Sequence, residues 1–156
     1  MAEDPVLKGF LSKHPGLCLD TSIFIYFVEE DARYHGLCAP IFEAIEKGHV
    51  RAATSTLSLL EILVQPYREK LDDLVLKFYA LLTTYPNIRW IELSKEIADS
   101  AARIRAEYRL KTPDAIQVAT ALSSGATGFV CNDPVFKRVR EFECLLLEDC
   151  LQRRGR

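Results

Sequence analysis

The sequence predicts an α/β domain with a central, mainly parallel sheet of about four to five strands. Short apolar runs of four to six residues alternate with longer segments of helical periodicity. No linker rich in proline, glycine or serine divides the 156 residues, and no tandem repeat interrupts them. This alternation is typical of βαβ units, whose helices cover both faces of the sheet.

The N-terminal part of the domain predicts one strand and two helices. GLCL at 16–19 is a short apolar run, which favours a buried strand. TSIFIYFV follows directly and is predicted to be a helix. A second helix is predicted over 34–48, because Gly48 suits the left-handed position just after a helix end.

The middle of the chain continues the alternation. VRAATS at 50–55 predicts a strand, although its alanines weaken the preference. TLSLLEILVQP at 56–66 predicts a helix that stops near Pro66, because proline lacks the N–H that a helix interior needs. The segment 69–86 has strong helical periodicity and ends at a second proline.

The C-terminal part predicts two more helices and three strands. One helix begins after Ser94, a residue suited to the N-cap, and the other ends near Gly125. The remaining apolar runs predict strands over 88–93, 127–131 and 143–148. Together these elements predict an N-terminal extension at 1–15, one domain at 16–148 and a basic tail at 149–156.

Composition excludes several classes of protein. The N-terminus carries two acids and lacks the continuous apolar core of a signal peptide, and no apolar run approaches the ~18 residues of a membrane span. A cytosolic protein is therefore expected. The net charge of −2 does not indicate a nucleic-acid binder by itself. The five cysteines form no C-x-x-C pair, so we expect buried free thiols rather than a zinc site.

Four acidic residues are predicted to meet at one edge of the sheet. Asp20 immediately follows the first strand, and Asp133 follows the strand at 127–131 after one asparagine. Asp114 opens the helix before that strand, and Glu61 lies on the helix after the second strand. Sites in parallel α/β sheets form beyond the carboxyl ends of the strands, where these four residues should lie.

Each acid also has a purely structural interpretation. Asp20 and Asp133 are good N-caps for the segments that follow them. Asp114 complements the dipole of a helix predicted to be capped by Thr112, a contribution of about 0.3–1 kcal/mol. Glu61 is either solvent-facing or, if buried, in need of a cation. Its expected polar neighbours are Thr54, Ser58 and Gln65.

A divalent cation would resolve the repulsion among four crowded carboxylates, which otherwise raise one another's pKa values. Mg²⁺ and Mn²⁺ prefer oxygen ligands and usually keep several waters. Such an ion activates water and stabilises the leaving oxygen of a phosphodiester. The sequence has no convincing Ser/His/Asp set, which agrees with metal-assisted hydrolysis.

Four segments of the chain resemble the motifs of PIN-domain ribonucleases, most closely the VapC-type toxins of toxin–antitoxin pairs. They are LDTSIFIYFV with Asp20, TSTLSLLEIL with Glu61, KTPDAIQVATAL with Asp114 and GFVCNDPVFKRV with Asp133. The order and spacing of the acids match, and the resemblance runs from about Gly16 to Leu147. Cys131 departs from the family pattern, in which a threonine is common at that position.

The resemblance implies a PIN-like α/β/α sandwich and Mg²⁺- or Mn²⁺-dependent endonucleolytic cleavage of RNA. Asp20 and Asp114 would be the principal metal ligands, and Glu61 and Asp133 would complete the pocket directly or through water. In toxins of this family the resemblance further implies a homodimer neutralised by a small antitoxin.

The resemblance also assigns supporting residues. Thr21 and Ser22 would orient the Asp20 carboxylate or a water, and Asn132 would donate a hydrogen bond near the last acid. Helix capping and a turn explain these three residues as well. Basic residues that flank the acids are candidates for RNA phosphate contacts, which position a strand without reading its bases. They are Arg103, Arg105, Arg109, Lys111, Lys137 and Arg138.

Three other functions compete with this interpretation. A PIN fold kept as an RNA- or protein-binding module without turnover would be favoured by the loss of one acid, but all four are present. A housekeeping PIN nuclease outside a toxin–antitoxin operon stays open. A phosphatase with Asp20 as nucleophile would require a second acid where Ser22 stands, and no G-x-G-x-x-G or P-loop pattern occurs.

Overall fold

Five parallel strands in the order β3-β2-β1-β4-β5 form the sheet of the computed structural model, which describes residues 3–156. The strands are β1 (Gly16–Leu19), β2 (Arg51–Ser55), β3 (Ile88–Ile91), β4 (Gly128–Cys131) and β5 (Glu143–Leu146). The helices are α1 (Pro5–Lys13), α2 (Thr21–Val28), α3 (His35–Glu46), α4 (Leu57–Arg68), α5 (Asp72–Thr84), α6 (Lys95–Tyr108), α7 (Thr112–Ser124) and α8 (Leu147–Arg154), with a 3₁₀ helix at Pro134–Arg138.

The two faces of the sheet carry separate hydrophobic cores. One core joins the sheet to α1, α2, α3, α4, α5 and α8, and its largest side chains include Phe24, Phe42 and Phe78. The other core joins the opposite face to α6, α7 and the 3₁₀ helix, around Phe129 and Phe136. This arrangement confirms the predicted α/β/α sandwich. None of the helices in the described part of the chain has the length and apolar character needed to cross a bilayer.

The strand order places a crevice at the middle of the sheet. From β1 the chain moves to β2 and β3 on one side, and later to β4 and β5 on the other. The central strand β1 pairs with a neighbour on each side, and its Leu17 is in register with Ala52 of β2 and with Gly128 of β4. The connections leave in opposite directions from the carboxyl ends of β1 and β4, which is where ligand sites form in open parallel sheets.

Helix α7 combines local and packing requirements. Its small residues Ala115, Ala119 and Ala121 are buried and let the helix approach the sheet closely. It ends at Gly125, whose φ of 76° is left-handed. Its N-cap is Lys111 rather than the predicted Thr112, because α6 ends at the left-handed Arg109 and leaves only a short connection before the next helix.

Several other predicted boundaries were wrong, including those of α5, which spans Asp72–Thr84 instead of 69–86, and of β3, which ends at Ile91 instead of 93. Helix α4 continues through Pro66 to Arg68, because the proline lies in the last turn, where its ring is buried and only one helical hydrogen bond is lost. The last strand ends at Leu146 instead of 148, and the chain turns directly into α8. Helix α8 extends to Arg154, so the segment predicted as a basic tail at 149–156 is largely helical, and Cys150 within it is buried.

Helix α1 packs on the amino end of the sheet and belongs to the predicted extension at 1–15, of which residues 1–2 lie outside the described part. Asp4 caps the helix by accepting hydrogen bonds from the N–H groups of Val6 and Leu7 at 3.0 and 3.1 Å. At the other end, the His14 ring bonds to Thr127 Oγ1 at 2.8 Å and to Glu143 Oε2 at 2.9 Å. These contacts fix α1 to β4 and β5.

We expect Gly128→Ala to destabilise the protein, because the packing of α1 leaves no space for a methyl group on β4. An added Cβ would lie 2.8 Å from both Leu17 Cδ2 and Phe10 Cζ, and 3.0 Å from His14 Cβ. Overpacking of this kind costs about 1–3 kcal/mol, and each kcal/mol lowers the Tm by about 2–4 °C in a chain of this size. Thermal unfolding followed by circular dichroism measures the change.

The matched control is Gly9→Ala within α1. An added Cβ there meets no atom within 4 Å, and alanine favours a helix over glycine by about 0.5–1 kcal/mol. The Tm of this control should stay the same or rise. A wild-type Tm for Gly128→Ala would show that α1 does not pack on the sheet as described.

Candidate functional site

Asp20 occupies the crevice where β1 ends and α2 begins. Its N–H donates to the carbonyl of Val130 at 2.9 Å, which joins the ends of β1 and β4. Its carboxylate makes no hydrogen bond that caps α2, so capping does not explain this acid. The pKa of Asp20 is raised from its usual 3.8 to about 7, mainly by burial and in part by nearby carboxylates, while the Thr21 N–H opposes the rise. These carboxylates belong to Glu61, Asp114 and Asp133.

Asp114 enters the same crevice from the first turn of α7. The side chain is half-buried, and burial is the main cause that raises its pKa. The negative charges of Asp133 and Glu61 raise the pKa further, while Lys111 lowers it. The helix-dipole interpretation is compatible with this position, but the neighbouring carboxylates show that Asp114 also shares a local field with the other acids.

Glu61 faces the site from α4 and is held by a hydroxyl group. The buried Thr21 hydroxyl donates to Glu61 Oε1 at 3.0 Å. Ser58, one turn earlier on α4, is also buried beside Thr21, with 2.9 Å between the two oxygens. The prediction that Gln65 lies beside Glu61 was wrong, because Gln65 is on the exposed side of α4 and donates a hydrogen bond to Glu69.

Asp133 caps the 3₁₀ helix, as its structural interpretation predicts, and it also lies near the other acids. Its Oδ1 accepts a hydrogen bond from the N–H of Val135 at 2.9 Å, which caps the 3₁₀ helix. Its charge also raises the pKa values of Asp20 and Asp114, so it belongs to the same acidic neighbourhood. Unlike Asp20, it is exposed to solvent.

The four acids thus share one electrostatic neighbourhood, although they do not form a closed metal cage. Within residues 3–156, no three acidic, histidine or cysteine side chains converge tightly enough to form a finished coordination cluster. The available ligands are all oxygens. That donor set fits Mg²⁺ or Mn²⁺, which keep several waters and do not require complete enclosure by protein.

The three predicted supporting residues have different surroundings. Thr21 connects directly to Glu61, as described above. The Ser22 hydroxyl is buried and has no hydrogen-bond partner among the described residues. Asn132 links neighbouring elements, since it donates to the Tyr26 hydroxyl at 3.2 Å and accepts from the Glu148 N–H at 2.9 Å.

Sequence reasoning missed Gln117, which lies one turn beyond Asp114 on α7. Its side chain is 1% exposed and its Nε2 donates to Ser58 Oγ. The spacing of three residues from Asp114 places both side chains on one face of the helix. A long amide within a run of alanine and valine is the signal that could have identified it.

The whole arrangement agrees with a comparison at the family level. The PIN domain model matches residues 17–142, which include all four acids. The chain belongs to the PIN domain family. No match to a curated protein sequence was found.

Solved structures of low sequence identity share the fold of this PIN domain. VapBC2 from Rickettsia felis, bound to a DNA fragment from their promoter, contains a chain that is 17% identical with a TM-score of 0.65, over 84% of this chain and 98% of that chain. A chain in a toxin–antitoxin complex from Klebsiella pneumoniae is 22% identical with a TM-score of 0.65, over 84% of this chain and 97% of that chain. A chain in DNA-bound VapBC from Salmonella typhimurium is 16% identical with a TM-score of 0.61, over 85% of this chain and 98% of that chain.

The six basic residues proposed to contact phosphate lie in different settings on the PIN domain. Lys111 is close enough to Asp114 to lower the pKa of that carboxyl group. Arg105 lines a shallow apolar groove beside Thr112 and Ala115. The exposed Arg109 ends α6.

The other three basic residues make protein contacts. Arg103 pairs with Asp99 at 2.9 Å, and Lys137 pairs with Asp149 at 2.6 Å. Arg138 donates to the carbonyl groups of Tyr108 and Arg109 at 3.4 Å each. Their part in RNA binding remains a prediction, and Lys111 is the residue that the structure connects most directly to the acids.

We expect Asp20→Asn to stabilise the metal-free PIN domain above pH 7. The raised pKa means that the folded state holds this proton more tightly than the unfolded state, so stability falls as the pH rises from about 4 to 7. Asparagine cannot ionise and escapes this loss. Since one pKa unit corresponds to ~1.4 kcal/mol, the gain should be at least ~1 kcal/mol, or about 2–4 °C in Tm.

Thermal unfolding with a chelator at pH 5 and pH 8 tests this expectation. The gain should be larger at pH 8, and Mn²⁺ should then stabilise the wild type more than the variant. Asp99→Asn, an exposed acid on α6, is the control and should change stability by about 0.5 kcal/mol or less. An Asp20→Asn variant that is less stable than the wild type at pH 8 would contradict the electrostatic description.

Proposed function

We propose that the protein is a metal-dependent endoribonuclease that hydrolyses RNA phosphodiester bonds. Asp20 and Asp114 act as the principal ligands of Mg²⁺ or Mn²⁺, and Glu61 and Asp133 complete the pocket directly or through water. One observation carries the proposal: at the central crevice, the carboxylates of Glu61, Asp114 and Asp133, which come from distant segments, raise the pKa of Asp20. Membership of the PIN domain family supports it.

The side chains divide the work at the proposed site. When bound, a divalent ion supplies positive charge that offsets the carboxylates and polarises the scissile phosphate. Asp20 and Asp114 present oxygens from the two sides of the crevice. The Thr21 hydroxyl fixes the direction of the Glu61 carboxylate, and Lys111 places a positive charge at the entrance beside Asp114.

A role as the toxin of a VapBC-type pair extends this proposal. The related solved structures are toxin–antitoxin complexes, which supports a small antitoxin as the partner. An exposed apolar surface on α4, α5 and the turn between them offers a place for a protein partner or for a second copy of the chain. It consists of Leu60, Val64, Tyr67, Leu71, Leu76 and Tyr79.

A PIN fold that binds without turnover is the alternative. The presence of all four acids in one neighbourhood weighs against it, because a binding module has no need to keep carboxylates in mutual repulsion. A housekeeping nuclease would use the same site without an antitoxin, so the two nuclease proposals differ in their partner and not in their chemistry.

Asp114→Asn should abolish RNA cleavage in the presence of Mg²⁺ or Mn²⁺. Loss of an outer-shell partner typically reduces metal affinity or activity by 10–100-fold, and loss of a direct ligand should exceed that range. Cleavage of a labelled RNA pool, followed by sequencing of new 5′ ends, measures the change. Expression of the wild type should arrest growth of a host, and a short reading frame encoded beside the gene should relieve the arrest.

The control for this experiment is Asp99→Asn, which removes an exposed acid of α6 that does not affect the pKa of Asp20 or Asp114. It should cleave like the wild type. Full activity of a chromatographically clean Asp114→Asn preparation would refute the site, whereas cleavage without growth arrest would favour the housekeeping nuclease.

Lys111→Ala should weaken RNA binding and make it less sensitive to salt. Each phosphate contact with single-stranded nucleic acid contributes about −0.7 to the slope of log K against log salt concentration, so the slope should become shallower by about that amount. Lys47→Ala is the matched control, because Lys47 is an exposed lysine on α3 that pairs with Glu43. An unchanged slope for Lys111→Ala would remove this residue from the RNA path.

A further inference from the structure

A buried chain of polar side chains connects the two helices that bring acids to the site. Gln117 of α7 donates through Nε2 to Ser58 of α4, and both side chains are almost completely buried. Ser58 lies beside Thr21, and Thr21 lies beside Glu61 Oε1. The helix that carries Asp114 is therefore connected to the carboxylate of Glu61 through three side chains.

The number of protons available gives this chain one direction. A carboxylate only accepts, so the single Thr21 hydroxyl proton serves Glu61 at 3.0 Å. The 2.9 Å contact between Thr21 and Ser58 must then use the proton of Ser58. Ser58 in turn accepts from the Gln117 amide, so every donor points toward Glu61.

Thr54 also contacts Ser58 and is a second acceptor for the Ser58 proton. Its hydroxyl donates to the backbone carbonyl of Leu19 at 2.9 Å, so it has no proton left for Ser58, which lies 3.1 Å away. Thr54 also fixes the position of Ser58 from the end of β2. The single Ser58 proton has two acceptors in reach, and the shorter contact, at 2.9 Å to Thr21, gives the order Gln117 to Ser58 to Thr21 to Glu61. Gln117 Nε2 also lies 3.5 Å from Thr21 Oγ1.

We propose that Gln117 is a positioning residue that holds the Glu61 carboxylate in place for a divalent ion. This inference rests on the proposed function. The Gln117 Oε1 atom is buried and has no hydrogen-bond partner among residues 3–156, which costs stability. A side chain that only filled space here would be better replaced by an apolar one, so the amide is explained by what its Nε2 does.

Gln117→Met tests the proposal because it keeps the length of the side chain while removing both the donor and the unpartnered oxygen. The metal-free Tm should stay at the wild-type value or rise. Mn²⁺ affinity should fall by about tenfold, the lower end of the range for outer-shell partners. Titration calorimetry measures Mn²⁺ binding without RNA, and Ser58→Ala, which interrupts the same chain, should give a similar loss.

Thr120→Val is the matched control. Thr120 is equally buried on α7, but its hydroxyl donates to the carbonyl of Ile116 within its own helix at 2.8 Å. Its removal should leave Mn²⁺ affinity unchanged. If the control loses as much affinity as Gln117→Met, general disturbance of α7 explains the effect and the proposal is overturned.

A double-mutant cycle with Glu61→Gln shows whether Gln117 acts through Glu61. If it does, Gln117→Met lowers affinity in the wild type and causes no further loss in the Glu61→Gln background. The inference would be overturned if the double variant lost Mn²⁺ affinity by the product of the two single losses, or if Gln117→Met kept the wild-type affinity. Either result would leave the nuclease proposal intact. A wild-type protein that neither binds Mn²⁺ nor cleaves RNA would overturn both.

Discussion

Repulsion among carboxylates at one crevice is the constraint on which the site depends. Asp20 lies where burial and three neighbouring acids all disfavour its charge. Uncompensated burial of charge is costly, and proteins of ordinary stability have only about 5–15 kcal/mol in total. The rest of the fold must therefore hold the acids together against their electrostatic repulsion. A bound cation would replace this repulsion by attraction between each carboxylate and the ion.

The sheet and its helices supply the restraint. Parallel strands on both sides of β1 bring the ends of β1 and β4 together through the bond from Asp20 to Val130. The alanines of α7 allow this helix to pack closely on the sheet, and this packing fixes the position of Asp114 at the crevice. The polar chain from Gln117 holds α4 and α7 together at the same level.

Much of this architecture follows from local pattern, because buried parallel strands are short apolar runs and their carboxyl ends share one edge. That reasoning was sufficient for the fold and for the grouping of Asp20, Glu61, Asp114 and Asp133. It could not identify Gln117 as a neighbour of Ser58, since they are 59 residues apart and meet only through helix packing. It also failed at Pro66, where tertiary burial outweighs the local preference against proline.

The attachment of α1 lies at the amino end of the strands, where His14 bonds to Thr127 and Glu143 and where Gly128 admits the ring of Phe10. The acids lie at the opposite end. One rim of the sheet thus carries much of the anchoring of α1, and the other rim carries the four acids. Thermal stability and the acidic site are consequently open to separate adjustment, so substitutions that tighten the anchored rim are suitable first choices for engineering a more stable protein.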